Sequence, residues 1–113
     1  MFEKYDSFPC RVAVYVPGTN NVNQACNNQA EVKLISKWFS KAFGGATSYN
    51  ATGSWISETA GLITEDVTII YSFTDEKTLA EKEAFLEKTC LWLKKRMHQE
   101  AISLEINNRL YFI

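Results

Sequence analysis

Val67-Thr68-Ile69-Ile70-Tyr71-Ser72-Phe73 is the stretch on which the fold turns. β-Branched and aromatic residues fill it, and with the residues from Ile63 onward they read as the most strand-like segment of the chain. Val67, Ile69, Tyr71 and Phe73 alternate with Thr68, Ile70 and Ser72, so one of the two faces must expose apolar groups. Just before it, Ser57-Glu58-Thr59-Ala60-Gly61 is turn chemistry. Ahead of that turn, Ala46 to Ser57 alternates loosely, with Tyr49, Ala51 and Trp55 on one face. Gly53 interrupts the pattern as a bulge or a close-approach position would. Two strands joined by a short turn predict an antiparallel hairpin.

Outward from this hairpin the period changes on both sides. From Ala30 to Phe43, Ile35, Trp38, Phe39, Ala42 and Phe43 recur at helical spacing, with Lys33, Lys37 and Lys41 on another face and Gly44-Gly45 as a stop. Asn27 or Asn28 is placed to cap that helix. Arg11 to Val16, closed by Pro17-Gly18, is a first strand with valines at alternate positions. On the other side, Thr74-Asp75-Glu76 opens a second helix that Thr74 can cap. Two carboxylates lie in its first turn, and Lys94, Lys95, Arg96 and His98 crowd its last turns, as the helix dipole favours. Leu79, Leu86, Cys90, Leu93 and Met97 form its apolar seam, widened by Phe85, Thr89 and Trp92. Ile102 to Ile106 alternates as a strand, Asn107-Asn108 turns or bulges it, and Arg109 to Ile113 either extends it or adds a partner strand.

The predicted order is therefore β-α-β-β-α-β over a single domain, residues 1–113: an α+β chain of ferredoxin-like βαββαβ order, with two helices on one face of an antiparallel sheet. If Val12, Val14 and Val16 meet the helices, Ala13 and Tyr15 point away, and the uncovered face needs a partner. Self-association is the simplest cover, so a homodimer or larger ring is expected.

The run FGGATSYNATGSWISETAGLITEDVTIIYSFT, Phe43 to Thr74, resembles the GAT…G-x-W…G-x-x-x-E-x-V signature of small uncharacterised bacterial and phage α+β proteins, and QEAISLEINNRLYFI resembles their closing strand. The likeness covers roughly the last two thirds of the chain. It implies a fold and a bacterial or phage origin, and no reaction.

Composition limits the function. The chain is 46% hydrophobic and 22% charged with a formal charge of −1, which is ordinary globular composition without the concentrated basic surface of a duplex nucleic-acid binder. Cys10, Cys26 and Cys90 show no C-x-x-C spacing, and the lone His98 has no neighbouring ligand, so neither a disulfide framework, a metal site nor a cofactor is expected. No apolar run is long enough to span a bilayer and MFEKYDSFPC lacks a signal-peptide core, so a cytoplasmic protein with free thiols is expected. Asn50-Ala51-Thr52 matches a glycosylation sequon, by chance on this reading.

PGTNNVNQACNNQ, Pro17 to Gln29, holds seven side-chain amides in thirteen residues and no charge. Uncharged amides suit a nucleobase edge, a ribose or a peptide backbone; they also suit a solvated loop with Asn caps. Asn20, Asn21, Asn23 and Gln24 are taken as candidate ligand-binding residues, with Tyr15, Trp55, Arg109 and Tyr111 supplying aromatic faces and an Arg fork. The catalytic inventory is thin: Glu58, Glu65, Glu100 and Glu105 are carboxylates outside the helical charge faces, and His98 reads as a general base, a haem-type ligand or a solvated helix-end residue, the last fitting its Lys- and Arg-rich surroundings best. The expectation that follows is a non-enzymatic oligomer that binds a small polar ligand, in one form a phage protein that sequesters a nucleotide signal. A small dimeric α+β barrel enzyme acting on an aromatic or porphyrin-like substrate stands as the alternative, and a protein-interaction subunit as a third reading.

Overall fold

The computed structural model describes the backbone of residues 1–20, 24–25 and 27–113, and the side chains of the same residues apart from 20, 24 and 25. In chain order the elements are β1 (Cys10–Pro17), β2 (Thr19–Asn20), β3 (Gln24–Ala25), α1 (Gln29–Phe43), β4 (Thr47–Ser57), β5 (Gly61–Thr74), α2 (Glu76–Glu81), α3 (Glu83–Arg96), β6 (Ser103–Ile106) and β7 (Arg109–Phe112). Five strands form one antiparallel sheet in the order β4-β5-β1-β6-β7, and β2 and β3 form a two-residue ladder of their own.

The architecture is α+β, but it is fuller than the four strands and two helices of a plain βαββαβ unit. β7 adds a fifth strand at the β6 edge, and the second helical region is two helices rather than one. The break falls at Lys82, whose backbone N–H donates to both Thr78 and Leu79. The cap of α2 is Asp75, not Thr74: its carboxylate accepts from the Thr78 N–H at 2.7 Å, while Thr74 is buried as the last residue of β5. Nor is Gly53 a bulge, because β4 and β5 pair without interruption from Thr47↔Tyr71 to Ser57↔Gly61.

Val12, Val14, Val16, Ile70 and Leu104 share one face of the sheet and are buried against Ile35 and Phe39 of α1 and Leu86, Cys90 and Leu93 of α3. Asn107, in the left-handed region at φ 56°, turns β6 into β7. Its side-chain oxygen accepts from the Arg11 N–H at 3.0 Å and its own N–H donates to the Arg11 carbonyl at 2.8 Å, so the turn is clamped to the start of β1. At the other end of β1, a Cβ on Gly18 would stand 2.6 Å from the Asp66 carbonyl oxygen. Only glycine lets the chain pass so close while its N–H donates to that same oxygen at 2.8 Å.

β1 covers β5 only from Val67 to Thr74. The rest of the β4–β5 hairpin therefore projects as a two-stranded arm, which carries Trp55, Ile56 and Leu62 at 48%, 73% and 63% exposure. No helix among the described residues is long and apolar enough to cross a membrane.

Candidate functional site on the open sheet face

The face away from the helices is set by register. Arg11 lies opposite Phe73, Ala13 opposite Tyr71 and Glu105, Tyr15 opposite Ile69, and Tyr49 opposite Ile69 from the other side. Paired residues of an antiparallel ladder share a face, so these side chains meet although up to 94 positions separate Arg11 from Glu105. Their tips cover the sheet: Ala13 is fully buried and Ile69 nearly so.

Glu105 is the hub. The Tyr15 hydroxyl donates to its Oε1 at 3.0 Å, and Arg11 Nε stands 3.8 Å from its Oε2. The Arg11 guanidinium lies over the Tyr71 ring at 4.1 Å and 6.0 Å from that of Phe73. Tyr71 packs edge-on against Tyr49, centroids 6.0 Å apart, and against Phe73 at 5.8 Å. Burial, and then the bond to the Glu105 carboxylate, push the Tyr15 phenol above its ordinary value of 10. Tyr15 is thus held protonated as a donor.

Beside this cluster a cavity of about 250 Å³ is lined by Tyr15, Pro17, Gly53, Glu65, Gln99 and Ser103, among others. The charged strand residues of the open face are Arg11, Glu65 and Glu105, all on β1, β5 and β6. A mixed aromatic and acidic surface of this kind can hold an organic cation by ring quadrupoles and carboxylates together.

The residues singled out from the sequence are divided among several places. Tyr15 is in the cluster, and Trp55 shares its face but stands out on the arm, opposite Ile63. Arg109 and Tyr111 pair with Ile106 and Leu104, which puts them on the helix side of the sheet. There Tyr111 lines an apolar groove with Leu79 and Leu86. Asn21 and Asn23 lie outside the described residues, and Asn20 and Gln24 contribute backbone to the β2–β3 ladder. The end of the amide-rich stretch has a structural use. Asn28 donates to the Val16 and Pro17 carbonyls at 3.4 and 3.1 Å and to Thr68 at 3.2 Å, and the Asn27 side chain accepts from the Gln29 N–H at 2.9 Å. Asn28 occupies the N-cap position of α1 without a side-chain cap bond, and its NH2 group is turned to the end of β1 instead. Asn27, Asn28, Asn50 and Thr68 also line a polar cleft of about 500 Å³ on the helix side.

Arg11, Tyr49 and Tyr71, which complete the Glu105 cluster, were not singled out from the sequence. The signal available was the alternation Arg11, Ala13, Tyr15 along the uncovered face of β1.

No protein-family model matches the chain, and no curated relative does. Two solved structures share its fold along its whole length. A phage SAM lyase in complex with S-methyl-5'-thioadenosine aligns with a TM-score of 0.68 at 15% identity, covering 100% of this chain and 95% of the other. A phage SAM lyase in its apo state aligns with a TM-score of 0.67 at 18% identity, covering 100% and 94%. The expectation of a non-enzymatic sequestering protein is corrected by this likeness, because the fold it shares along its full length is that of an enzyme, and of a phage enzyme at that.

Proposed function

We propose that the chain is an enzyme that cleaves S-adenosylmethionine at its sulfonium centre, with the open sheet face as the reacting surface. What carries the reading is the full-length likeness of fold to a lyase whose bound ligand is S-methyl-5'-thioadenosine. That molecule is S-adenosylmethionine without its four-carbon amino-acid arm, so a reaction leading to it breaks the bond between sulfur and that arm.

The chemistry of the face supports the assignment. S-adenosylmethionine carries a sulfonium, an ammonium and a carboxylate, a net charge of +1, and the strand residues of the open face carry two carboxylates and one guanidinium, a net of −1. The product thioether is neutral, so the face holds substrate better than product. Cleavage without water is balanced if the arm's own carboxylate oxygen attacks its γ-carbon: a C–O bond forms, the C–S bond breaks, its electron pair stays on sulfur, and no proton moves. Opposite charges disappear in that step, and a partly desolvated aromatic surface favours their loss. Glu105 would hold a cationic group of the substrate, and Tyr15, kept protonated, would orient Glu105.

A cavity of about 250 Å³ is smaller than the ~300–1,000 Å³ usual for small-molecule sites. A second copy of the chain, laid against the open face and the apolar arm, would enclose the ligand, and we propose a homo-oligomer on that ground. Consumption of a methyl donor, rather than storage of a nucleotide signal, is the form in which an anti-defence role fits the chain.

Chromatography of S-adenosylmethionine incubated with the protein tests the reading. The expected outcome is stoichiometric S-methyl-5'-thioadenosine with the native chain and at least a tenfold slower yield with Glu105→Gln. Equal yields from the two would remove Glu105 from the site.

A further inference from the structure

The guanidinium of Arg11 is set up to bind something that the described residues do not provide. It lies over the Tyr71 ring at 4.1 Å, and its side chain is 28% exposed. Among the described residues its nearest carboxylate oxygen is Glu105 Oε2, 3.8 Å from Nε, beyond hydrogen-bond distance, and its other donors have no side-chain or backbone acceptor. Stacked on a ring and flanked by one carboxylate, an arginine keeps its charge and the plane of its fork while its terminal N–H groups stay available. The backbone beneath is fixed as well: Asn107 both accepts from the Arg11 N–H and donates to the Arg11 carbonyl. The position of the charged fork is thus set before any ligand arrives. Such a fork fits a planar carboxylate, which it can bind through two parallel hydrogen bonds.

Resting on the assignment of this face to S-adenosylmethionine, we infer that Arg11 is the specificity-determining residue that reads the carboxylate of the substrate's amino-acid arm. Glu105, between Arg11 and Tyr15, stands next to that carboxylate where the arm's ammonium group would lie. The arm is then bound by a guanidinium and a carboxylate set side by side, the charge pattern complementary to an α-amino acid. A ligand with the nucleoside but no amino-acid arm gains nothing from Arg11. The residue therefore separates substrate from product.

Two ligands that are not themselves sulfonium compounds isolate this effect. S-adenosylhomocysteine carries the arm with its carboxylate, and S-methyl-5'-thioadenosine lacks it. Calorimetric titration of both into the native chain, Arg11→Gln and Arg11→Lys is the experiment, with melting temperature and solution mass recorded for each variant. Arg11→Gln should weaken S-adenosylhomocysteine by at least about tenfold, the size expected for lost charge-assisted hydrogen bonds. S-methyl-5'-thioadenosine should bind as before within about twofold, and Arg11→Lys should recover part of the loss as a point charge without a fork. Equal weakening of both ligands would make Arg11 a structural residue and overturn the inference. So would unchanged affinity for both, including the case in which only the solution mass falls, which would assign the fork to a carboxylate of a second copy. If the native chain binds neither compound, the assignment of the face itself fails and the inference with it.

Discussion

At Tyr15 one hydroxyl ties a strand at the start of the chain to Glu105 near its end, and its consequences can be measured. Tyr15→Phe removes a single hydrogen bond to a carboxylate that retains access to water, so a loss of about 0.5–1.5 kcal/mol is expected in denaturant unfolding. The pH dependence has a definite sign. Because the folded phenol lies above its ordinary value of 10, its contribution to stability is complete below pH 10 and is lost as pH rises through the folded value. The native chain should therefore lose stability more steeply above pH 10 than Tyr15→Phe, and parallel curves would contradict the assigned environment. Gly18 makes a second prediction at this scale. A methyl group there meets the Asp66 carbonyl at 2.6 Å, so Gly18→Ala should cost about 1–3 kcal/mol and lower the melting temperature. Residues of this kind are only half legible in the sequence. Tyr15 is recognisable as an uncovered aromatic and Glu105 as a carboxylate on a strand, but nothing local says that they touch. Arg11 is hidden more deeply, since an arginine at the head of a β-branched run looks like an ordinary strand end until register places Tyr71 under it.

Among the elements, those governed by period were readable and those governed by competition for hydrogen bonds were not. The alternating valines of β1, the helical spacing of α1 and the turn at Ser57 to Gly61 all describe local chemistry, and each appears close to where its residues place it. The break at Lys82 and the cap at Asp75 depend on which of several groups takes a given N–H. Thr74 was a reasonable cap, but it is buried in β5 and Asp75 is free to accept. The joint between α1 and α3 is equally nonlocal. Arg96, in the last turn of α3, donates from Nε to Glu31 Oε2 at 3.1 Å, and Glu31, in the first turn of α1, is 6% exposed. Arg96→Met leaves that carboxylate without its partner in a dry place. Because the Arg96 side chain is about half exposed and screened by water, the expected cost is about 1–3 kcal/mol rather than that of a fully buried pair. Urea unfolding measures it, and an unchanged midpoint would show that the pair does not hold the two helices together.

For the molecule as a whole, the informative feature is what the helices leave uncovered. The chain extends 53 Å along its longest axis against 29 and 20 Å along the others, and the β4–β5 arm exposes apolar side chains on both of its faces. Trp55 lies on the side of the open face, and Ile56 pairs with Leu62 on the other. An apolar face left uncovered by the helices was legible from the alternating apolar residues of β5; the arm itself was not, because its length depends on where β1 stops pairing. Ile56→Glu combined with Leu62→Glu should leave the melting temperature of the subunit nearly unchanged, surface substitutions usually costing under about 0.5 kcal/mol. Light scattering should then report the native chain as a multiple of the monomer mass and the double variant as a smaller species. Equal masses would take the arm out of the assembly. The candidate site was the least legible feature, since Arg11 and Tyr15 on β1 meet Glu105 on β6 only in the folded sheet.

A carbon NMR time course of the native protein with S-adenosylmethionine labelled at its methyl carbon decides whether the chain cleaves the sulfonium. Cleavage at the sulfonium centre predicts that its methyl signal is replaced, in proportion to protein added and over many turnovers, by the methyl signal of S-methyl-5'-thioadenosine. A sulfonium signal that persists at stoichiometric protein, whether free or shifted by binding, would contradict it.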